Sequence, residues 1–232
     1  MSSQQQDLVF FSDGTLLSSA VTPQRPPLFI VSHHDGTAPT WLVSVLVENS
    51  LVGTAGLVNR DLRPAKTDCS LAYVSFLRAS DDVEKAARKH ASDSLRFRFL
   101  DYSASLFAKV PAAGDTAAHV DLLFDDIAAE VVNMTTAKRI VFLEAPELLL
   151  AATAAASADV LAGIKTLNKS ATVVPIINIH TALVNMDACV PQDATFRVTD
   201  FYVKLHYMSS LNVSLQPLPT GKAKDITGMY FM

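Results

Sequence analysis

Charge is scarce in this chain of 232 residues, because charged side chains make up 18% of it and hydrophobic ones 50%. The formal net charge is -4, so the sequence lacks the broad positive field with which a lone protein binds nucleic acid through its phosphates. A surface with so few charges favours α/β layering, or faces that are covered by partners rather than by water. We therefore expect any RNA contact to be local or shared with other chains, and we expect no DNA contact.

Cysteines and long apolar runs are also few. Cys69 and Cys189 lie far apart, and neither has a Cys or His at metal-ligand spacing, so neither a disulfide framework nor a zinc site is expected. No apolar run approaches the roughly 20 residues that cross a bilayer, and residues 1–7 lack the order of a signal peptide. We expect a soluble, intracellular protein without membrane contact.

Short apolar runs rich in Val, Ile and Phe alternate with helical stretches along the chain. This alternation predicts an α/β fold in which a mostly parallel central sheet is flanked by helices, built as one domain over residues 1–232. The predicted strands cover residues 28–32, 70–77, 97–101, 139–143 and 171–179, and a C-terminal β-hairpin follows at 212–218 and 228–231. The predicted helices cover residues 40–51, 81–89, 115–134, 151–167 and 199–208.

The segment 28–51 has the strand, loop and helix order of a P-loop, but its loop reads SHHDGTAPT over residues 32–40. A phosphate cradle needs several glycines, a lysine and a hydroxyl residue for Mg²⁺. Here Gly36 stands alone, no lysine occurs, Asp35 repels phosphate, and a proline removes one N–H donor. The sequence predicts no functional P-loop, and His33, His34, Asp35 and Gly36 mark a degenerate nucleotide site.

Two further positions concern ATP hydrolysis. Glu144 follows the apolar run 139–143, as does the acid that orients the metal ion in RecA-type enzymes; alternatively, it caps or ion-pairs at a strand end. An active domain of that type also carries a water-activating glutamate after the strand here predicted at 70–77, where this sequence has Arg78. Phosphoryl transfer depends on positioned charge, so hydrolysis by this chain alone is not expected.

Four stretches resemble one particular RecA-like family. They read QDLVFFSD at 6–13, LFIVSH at 28–33 leading to PTWL at 39–42, EAPELLL at 144–150, and TGKAKDITG at 220–228. They are similar to the family of the sixth subunit of the eukaryotic Elongator complex, in its fungal form. The resemblance implies a RecA-like three-layer fold and a non-catalytic role beside the fourth and fifth subunits, in a ring with two copies of each.

In that family the ring associates with the catalytic core of Elongator, binds tRNA and releases it in an ATP-dependent manner, which supports modification of the wobble uridine. The resemblance thus implies a pseudo-ATPase that binds no cofactor alone, with any ATP at ring interfaces, in the cytoplasm and also the nucleus. In RecA-type rings a Lys-x-Lys pair on a hairpin commonly points at a neighbour's nucleotide. Lys222 and Lys224 fit this pattern, and Arg78 is a further candidate for a tRNA or subunit contact; solvent exposure is the alternative for all three.

Two other functions remain open from the residues. His33, His34 and Glu144 could hold a metal in a stand-alone, metal-dependent small-molecule α/β enzyme, although adjacent histidines on a strand point to opposite faces. A pure interaction module without RNA contact is the third possibility. Trp41 and Phe11 are interpreted as packing anchors in the core or at an interface.

Overall fold

The computed structural model describes residues 26–58, 60–61, 63–64, 68–78, 96–104, 116–180, 184–186, 190–193, 195–218 and 229–231. Its strands are β1 Phe29–His33, β2 Cys69–Ser75, β3 Phe97–Asp101, β4 Lys138–Glu144, β5 Thr172–Asn178, β6 Leu211–Gln216 and β7 Met229–Phe231. Its helices are α1 Thr40–Val52, α2 Thr116–Val132, α3 Leu148–Ala152, α4 Ser157–Leu167 and α5 Phe196–Met208.

The strands form one sheet in the order β3-β2-β4-β5-β1-β6-β7. Neighbouring strands from β3 to β6 pair in parallel, whereas β7 pairs antiparallel with β6. The predicted fold class is confirmed: this is an α/β fold with a parallel central sheet between helices, consistent with the RecA-like three-layer architecture, and its last two strands pair as predicted.

Apolar side chains fill both faces of the sheet. On one face α2, α4 and α5 pack through residues such as Phe124, Ile164 and Phe201. On the other face α1 packs through Val45 and Leu46 against β2, β4 and β5. Strand β2 is buried along its entire length, which is why it reads as an almost uninterrupted apolar run in the sequence.

The helix predicted at 151–167 is wrong in its first half, because the alanine-rich stretch breaks between α3 and α4. The Thr153 hydroxyl donates to the carbonyl of Leu149 at 2.6 Å and accepts the Ala155 N–H at 3.1 Å. Ala156 N donates to the Asp159 carboxylate at 2.7 Å, which starts α4 afresh. Local side-chain hydrogen bonds therefore override the helix propensity of alanine.

Other differences concern element ends. Strand β2 stops at Ser75 rather than 77, because the Ser75 hydroxyl accepts the N–H groups of Leu77 and Arg78 and turns the chain. Helix α5 begins before residue 199, at Phe196, after Asp193 accepts hydrogen bonds from the N–H and hydroxyl of Thr195. The predicted helix 81–89, the hairpin turn and the stretch 6–13 lie outside the described residues. Within the described part, no helix has both the length and the apolar character that crossing a bilayer requires.

Candidate functional site

The candidate site lies at the carboxyl edge of the sheet, defined here as the edge where β1, β2, β4 and β5 end. The β1–α1 loop, residues 34–39, leaves β1 at this edge. Arg78 follows β2, Glu144 ends β4 and His180 follows β5 at the same edge. Parallel α/β sheets bind ligands outside the carboxyl ends of their strands, so the positions predicted for a degenerate nucleotide site occupy the expected place.

The β1–α1 loop uses its polar groups within the protein. His34 N donates to the carbonyl of Leu215 at 3.1 Å, and Thr37 N donates to the carbonyl of His34 at 3.1 Å. The Thr37 hydroxyl donates to the same His34 carbonyl at 2.6 Å, and it lies 3.2 Å from the carbonyl oxygen of Leu215. Gly36 provides the positive φ of 78° that this tight turn needs. These two amides are therefore directed into the turn and towards β6 rather than at an anion.

The N-terminus of α1 also offers fewer N–H donors than a phosphate-binding helix. Pro39 precedes the helix and makes no side-chain hydrogen bond to it. Because proline has no N–H, the first turn lacks one of the donors that a helix N-terminus offers to phosphate. With an acid in the loop and no lysine, the residues of this loop do not fit a triphosphate. Trp41, the second residue of α1, is 41% exposed, so it is no core anchor in this chain.

Glu144 is held by a cation and a hydroxyl of its own chain. Its exposed fraction is 3%. Arg78 Nε donates to Oε1 at 2.8 Å, Arg78 Nη2 donates to the same oxygen, and Ser75 Oγ donates to Oε2 at 2.7 Å. The parallel register places Ser75 directly beside Glu144. Both carboxylate oxygens are engaged, so the structure forms the ion pair that the sequence left as one of two interpretations.

The turn after β2 fixes the position of Arg78. Ser75 Oγ accepts the N–H of Arg78 at 2.9 Å while it donates to Glu144, and Phe76 N donates to the Glu144 carbonyl at 3.1 Å. Hydrogen bonding to Glu144 raises the pKa of Arg78 above its already high value, so the guanidinium stays charged. Main-chain and side-chain bonds thus join the ends of β2 and β4.

Beneath this pair lie buried aromatic side chains. Tyr73 is 1% exposed, and its ring stacks on Phe142 and Phe99 with centroids 6.1 and 5.6 Å apart. Burial, aided by the negative charge of Glu144, raises the pKa of the Tyr73 phenol far above its usual value, so it stays neutral. The carboxylate of Glu144 therefore lies on buried aromatic side chains, where its negative charge is compensated by the neighbouring guanidinium.

The histidines of this edge have separate surroundings. Burial lowers the pKa of His33, against the opposing effects of backbone hydrogen bonds and the charge of Glu144, so its imidazole is neutral at pH 7. The carboxylate of Asp35 contacts Nε2 of His180, which joins the β1–α1 loop to the exit of β5. Ile179 N also donates to the carbonyl of His33 at 2.9 Å. These contacts tie the loop to β5.

The metal site proposed for the alternative function, with ligands from His33, His34 and Glu144, is not formed by the described residues. Over the described parts of the chain, no three His, Cys, Asp or Glu side chains are grouped so that they could hold a metal ion. His33, His34 and Glu144 all belong to these parts. Glu144 instead binds Arg78 and Ser75.

Lys222 and Lys224 lie outside the described residues, so their contact role stays a prediction. Arg78 has 36% of its side chain exposed even though it binds Glu144. Ser75, Glu147 and His180 were not predicted from the sequence. Ser75 could have been found from the strand register, had the pairing of β2 with β4 been known. Glu147 was visible in the stretch EAPELLL, but nothing in the sequence indicated its burial.

Comparisons with known proteins support the resemblance. No protein-family model matches the chain. Elongator complex protein 6 of Saccharomyces cerevisiae is 26% identical to it over 235 residues, which covers 97% of this chain and 84% of the yeast protein. The resemblance to the family of the sixth Elongator subunit is therefore confirmed.

Proposed function

We propose that this chain is a non-catalytic RecA-like subunit of a hetero-hexameric Elongator ring, together with the fourth and fifth subunits. In this proposal the ring binds tRNA beside the Elongator catalytic core and supports wobble-uridine modification in the cytoplasm and nucleus. ATP turnover is a property of the ring, at its interfaces, and not of this subunit. Lys222, Lys224 and Arg78 are the proposed contacts to tRNA, phosphate or a neighbouring subunit.

The observation that carries the non-catalytic role is the bond between Arg78 and Glu144. An acid that orients Mg²⁺ directs its negative charge at the metal, whereas Glu144 binds the guanidinium of Arg78 through Oε1 and the hydroxyl of Ser75 through Oε2. Beside Glu144, the guanidinium of Arg78 supplies the positive charge that a metal ion would supply in an ATPase. A carboxylate neutralised in this way supports the fold and is a poor metal ligand.

ATP hydrolysis by the isolated chain tests the absence of catalysis. We expect no turnover above background, and no change in Glu144→Gln. Glu48→Gln is the matched control, because Glu48 is a buried glutamate on α1, away from the carboxyl edge. Turnover that disappears in Glu144→Gln but persists in Glu48→Gln contradicts the proposal.

Native mass spectrometry tests the ring. The chain is mixed with the fourth and fifth Elongator subunits of its own organism, and we expect one species whose mass equals two copies of each. A chain that stays monomeric in the presence of both subunits contradicts the assembly, whatever its own ATPase activity.

A charge reversal in the assembled ring tests the tRNA contact. We expect Lys222→Glu with Lys224→Glu to lower tRNA affinity at least about tenfold and to reduce the salt dependence of binding, because each lost phosphate contact removes counterion release. The control reverses the charges of Lys165, in the last turn of α4, and Lys169, just after that helix, both of which are exposed. Unchanged tRNA affinity in the Lys222 and Lys224 variant, with the ring intact, favours the pure interaction module.

A further inference from the structure

Glu147 is a buried carboxyl group that the proposed function does not use. It follows β4 at the start of the short helix α3 and is 3% exposed. Its Oε1 accepts the N–H of Asn178, the last residue of β5, at 3.0 Å. Its Oε2 is buried and has no hydrogen-bond partner. A buried carboxylate oxygen without a partner is costly, whereas a protonated carboxyl group can occupy such a place at lower cost.

The surroundings of Glu147 favour the protonated form. Complete burial is the largest effect, and the negative charge of Glu144 acts in the same direction; the hydrogen bonds from the backbone oppose both. The pKa of Glu147 is raised from 4.5 to about 7. The group can therefore gain or lose a proton within the physiological pH range.

A continuous set of bonds leads from Glu147 to the β1–α1 loop. Asn178, whose N–H binds Glu147, accepts the N–H of His180 on its side-chain oxygen at 3.0 Å. Nε2 of the His180 ring contacts the carboxylate of Asp35 in the loop. Between them, Ile179 N donates to the carbonyl of His33 at 2.9 Å. The segment Asn178–His180 thus joins the buried carboxyl group to the loop through three consecutive residues.

From this arrangement we propose that Glu147 is a proton-binding site that controls how firmly the exit of β5 holds the β1–α1 loop. With a proton bound, the neutral carboxyl group stays buried and keeps Asn178 in place. When the proton leaves to solvent, the carboxylate favours an open state in which it reaches water, and the bond to Asn178 is lost. The loop then loses its support from Ile179 and His180.

Other titratable or charged groups at this edge must be separated from Glu147 in any test. Helix α3 itself carries no charged side chain. The groups on the neighbouring elements are Glu144 of β4, Arg78 after β2, His33 of β1, His34 and Asp35 of the loop, His180 after β5, and Arg197 and Asp200 of α5. Because histidines titrate in the same pH range, the readout must report the carboxyl group directly.

Nuclear magnetic resonance of the full chain provides that readout. The ¹³C shift of the Glu147 side-chain carboxyl carbon is followed from pH 4 to 9, and we expect a midpoint near 7, as its raised pKa predicts. A midpoint below about 5, the range of an ordinary glutamate, overturns the proton site. This measurement needs no variant, so it does not depend on whether a substitution at Glu147 folds.

Amide hydrogen exchange tests the control of the loop. We expect the protection factor of the Ile179 amide, corrected for intrinsic exchange, to fall about tenfold between pH 6 and pH 8, because opening is linked to loss of one proton. In Glu147→Gln the fall should be absent, and in the matched control Glu48→Gln it should remain. Titration of Glu147 near pH 7 with unchanged protection at Ile179 overturns the coupling. Asp35→Asn, which keeps Glu147, should retain the pH dependence at Ile179, and loss of that dependence would assign the effect to His180 instead.

Discussion

Gly163 of α4 lies against the ring of Phe124 of α2, so close that a Cβ placed on Gly163 would lie 2.2 Å from Phe124 Cδ2. Both residues are buried between helices that cover the same face of the sheet. We expect Gly163→Ala to lower the free energy of unfolding by about 1 to 3 kcal/mol, because the ring must leave its packed position. Urea denaturation of the natural chain and of Gly163→Ala measures this difference in the free energy of unfolding.

Two variants separate the clash from helix propensity. Phe124→Leu in the Gly163→Ala background should recover part of the loss, because a smaller side chain frees the space. Ala162→Ser, one position earlier on the exposed side of α4, should change stability by less than about 0.5 kcal/mol. If Gly163→Ala proves neutral, the contact between these helices is looser than described.

Asn168 holds the segment that leads into β1. Its Nδ2 lies 3.1 Å from each of the carbonyl oxygens of Pro26, Pro27 and Ala171, so an NH₂ group faces three acceptors. We expect Asn168→Ala to lower the free energy of unfolding by about 1 to 2 kcal/mol, because the hydrogen bonds of its side-chain NH₂ group are lost. Asn168→Asp should cost more, because a carboxylate faces the same oxygens and repels them. A smaller loss for Asp than for Ala in urea denaturation would contradict this role.

The sheet could be predicted from the sequence because its strands are buried on both faces. Strand β4 is a short apolar run with charged residues at both ends, so the sequence predicted both that it is a strand and where it lies. The break between α3 and α4 could not be predicted, since it depends on hydrogen bonds of Thr153 and Asp159 that compete with an alanine-rich helix. The pattern of apolar residues therefore predicts whether a segment is a helix or a strand, whereas the ends of helices depend on polar contacts that the pattern does not show.

The candidate site was predicted as separate residues rather than as a network. Arg78 and Glu144 were each singled out because they occupy positions of an ATPase, but they are 66 positions apart in the chain. Their bond depends on β2 lying beside β4, which the sequence does not reveal. Glu147 was missed because charged residues are seldom buried without a partner, so burial is not the expectation for a glutamate beside a proline.

Arg78 and Glu144 should be strongly coupled in stability. Arg78→Met removes the cation that compensates the buried carboxylate of Glu144, and we expect it to cost about 3 to 5 kcal/mol. Adding Glu144→Gln removes the uncompensated charge and should restore a large part of that loss. A double-mutant cycle measured in urea should give a coupling of more than about 1 kcal/mol.

The pair Arg98–Glu130 provides the matched control for this cycle. It joins the same residue types, but its side chains are 39% and 38% exposed. Water and salt screen such a pair, so we expect a coupling below about 1 kcal/mol. Equal coupling in the two cycles would mean that the burial of Glu144 does not matter to its bond with Arg78.

Glu147 should make the folded chain less stable as the pH rises. Its pKa is about 7 in the folded state and 4.5 is the ordinary value, so between these pH values the unfolded chain loses a proton that the folded chain retains. The stability contributed by this group is complete below about pH 4.5 and is lost as the pH rises through about 7.

Urea denaturation of the natural chain and of Glu147→Gln, each at pH 5 and at pH 8, isolates the contribution of Glu147 to stability, because all other groups titrate alike in the two proteins. We expect the stability of the natural chain relative to the variant to fall by about 2 to 3 kcal/mol over this interval. A difference that stays constant, or that grows in favour of the natural chain, would show that Glu147 is ionised at pH 5 despite its burial.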